Sequence, residues 1–86
     1  MKINEGFILR EIAGSYHVIA VGKTAKEFNA MINLNQTGAF LWKILEKGAT
    51  EEELVKALLN EYEVSEELAK QDVLNFTKLL KEAKLV

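Results

Sequence analysis

A helix start is encoded in the stretch Leu34-Asn35-Gln36-Thr37-Gly38-Ala39-Phe40-Leu41-Trp42. Asn35 is a strong N-cap residue because its side-chain oxygen can accept a free backbone N–H of the first turn while its own backbone stays extended. Before Asn35 the segments are short and rich in Ile, Val, Phe and Tyr, as in strands; after it the apolar residues follow a helical period. The stretch therefore divides a β-rich part from an α-rich part.

The β-rich part predicts three antiparallel strands. Residues 7–13 and 16–21 form the first two, joined by a tight turn at residues 14–15. The polar residues 24–27 lead into residues 28–34, where apolar side chains alternate mainly with amides. This alternation predicts a half-buried third strand, with one face toward the core and the other toward solvent.

The α-rich part predicts three helices. The first covers residues 36–47 and ends at Gly48, the glycine expected at C′. Thr50 and Glu53 form a capping box at the start of the second, and Ser65 caps the third, which reaches residue 83. The predicted inward-facing residues of the first and third helices are Phe40, Leu41, Ile44, Leu45, Ala69, Val73, Phe76, Leu80 and Ala83.

These elements predict an α+β fold, winged helix-turn-helix-like, with a three-stranded antiparallel sheet followed by a three-helix bundle. A chain of 86 residues is expected to form one domain, residues 1–86, with one modest core. Trp42 lies off the predicted inward stripe, so it either covers the flank of the core or projects as an exposed anchor, and the flank is favoured. Gly38 lies in a helical first turn, where close packing against a strand or tolerance near a helix end would explain it.

Catalysis is not expected. The chain has no cysteine, which excludes a disulfide framework, a thiol nucleophile and a cysteine zinc site. His17 is the single histidine and lacks the partners of a triad or a metal site. The five glycines form no phosphate-binding pattern. The sequence therefore predicts a protein that is not an enzyme and needs neither cofactor nor metal.

Charge and hydropathy also limit the partners. The formal charge is −2, Arg10 is the only arginine, and the lysines of the third helix are balanced by acidic residues. Nucleic-acid binding needs a clustered basic face, so it is the less favoured alternative for a winged-helix domain. The apolar runs fall far short of the roughly 18 residues that cross a bilayer, and the N-terminus lacks a signal-peptide pattern. We therefore expect a cytoplasmic protein without a membrane partner.

The third strand offers an open edge. Its segment from Ala30 to Asn33 contains no Lys, Glu or Pro, the residues that commonly block edge pairing. An extended peptide could add there as a fourth strand through main-chain hydrogen bonds. A homodimer formed edge to edge would use the same groups, so both possibilities stay open at this point.

Four blocks occur in order along the chain: Phe7-Ile8-Leu9-Arg10-Glu11-Ile12-Ala13-Gly14, Leu34-Asn35-x-Thr37-Gly38-Ala39-Phe40-Leu41-Trp42, Thr50-Glu51-Glu52-Glu53-Leu54 and Asp72-Val73-x-x-Phe76-x-x-x-Leu80. In these blocks the chain resembles the PqqD family, also known as RiPP recognition elements. The resemblance implies a non-catalytic, winged-helix-like domain that holds the leader segment of a ribosomally made precursor peptide. It also implies presentation of that peptide to a modifying enzyme, often a radical S-adenosylmethionine protein.

The resemblance further implies a cleft between the third strand and the third helix. Its strand side would be Ala30, Met31, Ile32 and Asn33. One shoulder of the helix carries Leu68, Asp72, Asn75 and Leu79, and the other carries Lys70, Thr77, Lys81 and Lys84. The first shoulder is favoured because its leucines give a peptide apolar contacts. The single arginine departs from the family pattern and favours another modified peptide over the quinone pathway. Lys84, in place of a common glycine, implies that the last turn ends differently.

Overall fold

The computed structural model describes residues 1–27 and 31–86. The elements are β1 (Phe7–Ile12), β2 (Ser15–Ala20), α1 (Thr24–Glu27), β3 (Ile32–Leu34), α2 (Gln36–Leu45), α3 (Glu51–Glu61) and α4 (Glu66–Glu82). The predicted α+β fold, with an antiparallel three-stranded sheet followed by helices, is confirmed. Residues 28–30 of the predicted third strand lie outside the described residues.

The sheet has the order β1-β2-β3, so β3 forms one border. Pairing of Ile12 with Ser15 places Ser15 in the ladder, and the turn is Ala13-Gly14, one residue earlier than predicted. Both turn residues have positive φ, 52° and 82°. Such a two-residue turn matches the twist of the flanking strands, which is why the hairpin adopts it although Ala13 has a Cβ.

The predicted third strand is wrong at Met31. β3 is described only from Ile32 to Leu34, where it pairs with Tyr16 to Val18, and Met31 precedes it. The polar residues 24–27, to which the sequence assigned no element, form the single helical turn α1. Alternation holds within β3, since Leu34 is buried and Asn33 is exposed.

Each main helix begins at its predicted cap. The Asn35 side chain accepts from the Gly38 N–H, and the Ser65 hydroxyl accepts from the Leu68 N–H. Thr50 and Glu53 form a complete capping box, with reciprocal bonds of 3.1 and 2.9 Å. These bonds join groups only three residues apart, so they form without help from the rest of the fold.

The capping box makes stability depend on pH. The Thr50 backbone N–H, donating to the Glu53 carboxylate, is the main cause that lowers the pKa of Glu53, followed by the bond with the Thr50 side chain. A depressed folded-state pKa stabilises above the unfolded value and ceases to do so as pH falls through the folded value. We therefore expect Glu53→Gln to reduce the free energy of unfolding at neutral pH, and the difference from wild type to shrink below about pH 4. Urea unfolding of both proteins, from neutral pH to below about pH 4, measures this difference in unfolding free energy.

Glu52→Gln is the matched control, because Glu52 also lies in the first turn of α3 but makes no reciprocal cap. Its difference from wild type should vary less with pH. A Glu53→Gln difference that stays constant from neutral pH into acid would contradict the prediction.

The core lies between the inner face of the sheet and the helices. Val18, Leu41, Trp42, Leu45, Leu54 and Leu80 are fully buried in one cluster. The alternative of Trp42 as an exposed anchor is wrong, since none of its surface is accessible. The buried face of α2 centres on Leu41, Trp42 and Leu45, so Phe40 and Ile44 are only half-buried. Phe40 instead meets the edge of Tyr62, with ring centroids 5.5 Å apart.

The end of α4 adopts a Schellman motif with lysine at the glycine position. The Leu85 N–H donates to the Leu80 carbonyl at 2.8 Å, and the Lys84 N–H donates to the Lys81 carbonyl at 3.1 Å. Lys84 has φ 61°, the left-handed conformation that glycine adopts without steric cost. Leu80 and Leu85 are both buried, which supplies the apolar contact that accompanies this motif.

We expect Lys84→Gly to stabilise the protein by about 1 kcal/mol, because glycine relieves the left-handed strain. The control is Lys78→Gly, an exposed position inside α4, which should destabilise by about 1 kcal/mol because glycine is a poor helix former. Thermal unfolding of both variants measures the effects. Shifts of the same sign in the two variants would contradict the assignment of strain to Lys84.

Candidate functional site

A groove of about 250 Å³ lies between the border strand and the last helix. Its α4 wall consists of Asp72, Asn75, Phe76 and Leu79. These residues recur at intervals of three and four, so they share one face of the helix. The opposite wall, from the end of β3 and the start of α2, consists of Asn33, Leu34, Asn35, Thr37, Gly38 and Leu41.

The other shoulder of α4 faces α3. The buried Thr77 hydroxyl donates to the Glu51 carboxylate at 3.4 Å, and the Lys81 ammonium lies 3.8 Å from the same carboxylate. Asp72, Asn75 and Leu79 lie on the β3 side of α4.

The structure brings together half of the residues named for the cleft. Asn33, Asp72, Asn75 and Leu79 line the groove. Ile32 is half-buried against the core, and Ala30 lies outside the described residues. Met31 and Leu68 do not line the groove, and their surfaces are 58% and 49% exposed.

The contribution of α2 to the groove was not predicted from the sequence. The helix-start stretch carried the signal, because a helix separated from β3 by the single residue Asn35 must place its first turn beside the strand end. Gly38 permits this approach, since a Cβ there would lie 3.2 Å from the Asn35 Oδ1 and 3.4 Å from the Leu34 Cβ. Of the two explanations for Gly38, the geometry favours close packing.

Three side-chain amides present donors to the groove. The Asn35 Oδ1 accepts from the Gly38 N–H at 2.7 Å, and the Asn75 Oδ1 accepts from the Gln71 Nε2 at 3.0 Å. The Asn33 Oδ1 lies 2.6 Å from the His17 Nδ1. Within residues 1–27 and 31–86, the three amide nitrogens make no hydrogen bond. They can therefore donate to carbonyl oxygens of a molecule in the groove.

The outer border of β3 is unpaired in the part of the chain that the structure describes, because its only partner there is β2. Alternate residues of a border strand point N–H and C=O groups outward, where they can pair with another extended chain. Leu79 supplies most of the exposed apolar surface of the groove beside this border, with Leu34 and Phe76 nearly buried behind it. The combination suits an extended polypeptide with apolar side chains.

The described residues form neither a metal site nor a membrane-spanning helix. No group of three or more His, Cys, Asp or Glu side chains there could hold a metal ion. Over the same residues, no helix has the length and apolar character that crossing a membrane requires.

The chain was compared with known proteins. The sequence model of the family described as "Coenzyme PQQ synthesis protein D (PqqD)" matches residues 17–86. No curated protein matches the sequence. A solved structure of TbiB1 in complex with the TbiA(beta) leader peptide aligns with a TM-score of 0.77 and 26% identity, over 99% of this chain and 93% of that one.

A second solved structure, lasso peptide synthetase B1 complexed with the leader peptide, aligns with a TM-score of 0.72 and 21% identity, over 94% of this chain and 89% of that one. This likeness concerns the fold. The family match covers most of the chain and includes β3, α4 and both walls of the groove. The chain therefore belongs to the PqqD family.

Proposed function

We propose that this chain binds the leader segment of a ribosomally synthesised precursor peptide without catalysing a reaction. The leader adds as a strand to the outer border of β3, and its inward side chains enter the groove between β3 and α4. The observation that carries the proposal is the border of β3, unpaired among the described residues, beside a groove that combines polar side chains with the exposed Leu79. The fold shared with TbiB1, which is solved with a leader peptide, supports it.

The proposed binding has two energetic parts. Main-chain hydrogen bonds to β3 provide register, and apolar side chains against Leu79 and its neighbours provide specificity. An unstructured leader loses conformational entropy when it becomes ordered, so the affinity should be modest for the contact area. Modest affinity suits a protein that must release its peptide to another.

The proposed partner is a modifying enzyme, in the class of radical S-adenosylmethionine proteins or another peptide-modifying class. The chain itself offers no metal group in its described parts, and the single histidine is engaged with Asn33. Its single arginine favours a modified peptide other than the quinone precursor. The same proposal places the protein in the cytoplasm, where ribosomally made peptides are available.

An amide shift map of the full chain tests the proposal. The probe is a synthetic leader from the precursor encoded beside this gene, and the control is the same peptide with scrambled sequence. We expect shifts in β3, in the first turn of α2 and on the Asp72 to Leu79 side of α4. Shifts absent at high leader concentration, or confined to the α3–α4 face, would contradict the proposal.

Sedimentation distinguishes leader binding at the β3 border from an edge-to-edge homodimer. If two copies paired through β3, the leader would compete with the dimer, because both use the same main-chain groups. We expect a monomer with leader bound at every protein concentration.

Nothing in the comparisons favours the nucleic-acid alternative.

A further inference from the structure

We infer that the leader carries a basic residue, preferably arginine, that pairs with Asp72 and lies two positions from an apolar anchor. This inference rests on the proposed function and specifies the peptide that the groove selects.

Among the described residues, Asp72 is the only charged one that lines the groove. Its neighbours one turn away on α4 are Leu68, Ala69, Asn75 and Phe76, none of which carries a charge. The ion pairs of α4 join Lys70 to Glu66 and Lys81 to Glu51, and no cation among the described residues pairs with Asp72. The groove is therefore anionic at one defined point.

A peptide that fills the groove removes water from Asp72, which is already half-buried. A carboxylate that loses water without gaining a partner disfavours the complex strongly. A cationic side chain offsets that loss, whereas an apolar or acidic side chain at the same place does not. The groove therefore discriminates between peptides at this position.

The other polar side chains that line the groove compete less well for the cation, because none of them is charged. The amide oxygens of Asn33, Asn35 and Asn75 each already accept one bond from within the protein. Their free nitrogens are donors, which suit peptide carbonyl oxygens and repel a cation. Asp72 is thus the one charged acceptor among the described residues of the groove. An arginine guanidinium can donate hydrogen bonds to both of its carboxylate oxygens.

The spacing follows from the geometry of a helix and a strand. Asp72 and Phe76 are one turn apart, about 6 Å along the helix axis. Alternate side chains of an extended peptide lie about 6.6 Å apart on one face. In a peptide that runs alongside α4, a basic residue facing Asp72 therefore places the residue two positions away near Phe76 and Leu79, the apolar side chains of the α4 wall.

Selection from a random peptide library, with the full chain as bait, tests the inference. We expect wild-type protein to enrich arginine or lysine at one position, with an aliphatic or aromatic residue two positions away. The Asp72→Lys variant should enrich Asp or Glu at that position instead. Glu63→Lys is the control, since Glu63 is an exposed acidic residue outside the groove, and it should keep the wild-type preference.

Synthetic peptides then give the magnitude. For the most enriched peptide, an arginine-to-glutamate change should weaken binding to wild type by about tenfold or more, and Asp72→Lys should restore binding of the glutamate peptide. Asp72→Asn should weaken the arginine peptide severalfold and leave its glutamine version unchanged. Circular dichroism checks that the variants fold. If Asp72→Lys does not fold, the peptide preference of Asp72→Asn alone tests the inference.

The outcomes separate the inference from the function on which it rests. Enrichment of peptides without a basic preference, or an unchanged preference in the Asp72 variants, overturns the inference and leaves the leader-binding function standing. A wild-type chain that enriches no peptide overturns both.

Discussion

Trp42→Ala should cost about 3–5 kcal/mol of stability, the range for removing a large buried aromatic side chain. Trp42 is the largest fully buried side chain among the described residues, and it lies in the cluster that joins α2 to the sheet and to α4. A domain of this size is stabilised by roughly 4–13 kcal/mol in total. The variant should therefore unfold at a much lower urea concentration than wild type.

Trp42→Phe is the matched control. The Trp42 Nε1 is buried without a hydrogen-bond partner within the described part of the chain. Phenylalanine removes that unsatisfied N–H, which offsets part of the lost packing, and the net cost should be about 1 kcal/mol. Equal losses for the alanine and phenylalanine variants would show that the indole N–H, and not the ring volume, matters at this position.

Leu79→Gln should weaken leader binding by about tenfold or more while leaving the fold intact. Leu79 lines the groove and is 40% exposed, so it adds little to the core but offers apolar surface to a peptide. Burying one leucine side chain contributes about 1.5–3 kcal/mol, and about 1.4 kcal/mol corresponds to tenfold in affinity. Glutamine keeps the length and the helix propensity of the side chain.

Leu74→Gln provides the control on the same helix. Leu74 is 54% exposed but lies on the opposite side of α4, against Val55 and Leu59 of α3. Fluorescence anisotropy with a labelled leader should show wild-type affinity within about twofold for this variant. Equal weakening of leader binding by both substitutions would mean that the leader does not bind selectively on the β3 side of α4.

The two groove variants report on different properties. Leu79 affects mainly how tightly a peptide binds, because its contact selects only for an apolar side chain and not for a particular one. Asp72 concerns which peptide binds, because an uncompensated carboxylate discriminates by charge. Combining Leu79→Gln with Asp72→Asn should weaken binding by nearly the product of the two effects if the side chains contact different peptide residues.

Some features were readable from residues close together in the chain. Asn35, Thr50 and Ser65 each bond a backbone N–H three residues on, so the starts of α2, α3 and α4 depend on local chemistry. The spacing of Ala69, Val73, Phe76 and Leu80 likewise identified the buried face of α4. Such features need only the geometry of one helix, which sequence spacing encodes directly.

Other features depended on segments far apart in the chain. The hairpin turn lies at Ala13-Gly14, and not at the predicted position, because the pairing of β1 with β2 fixes the register. β3 is described only where β2 pairs with it. The first turn of α2 became a groove wall because α4 packs across from it, some 35 positions later in sequence. The sequence by itself therefore determined which elements form and where the helices begin, since those depend on neighbouring residues. Only the tertiary structure decided which side chains meet across the groove, since that depends on how the elements pack.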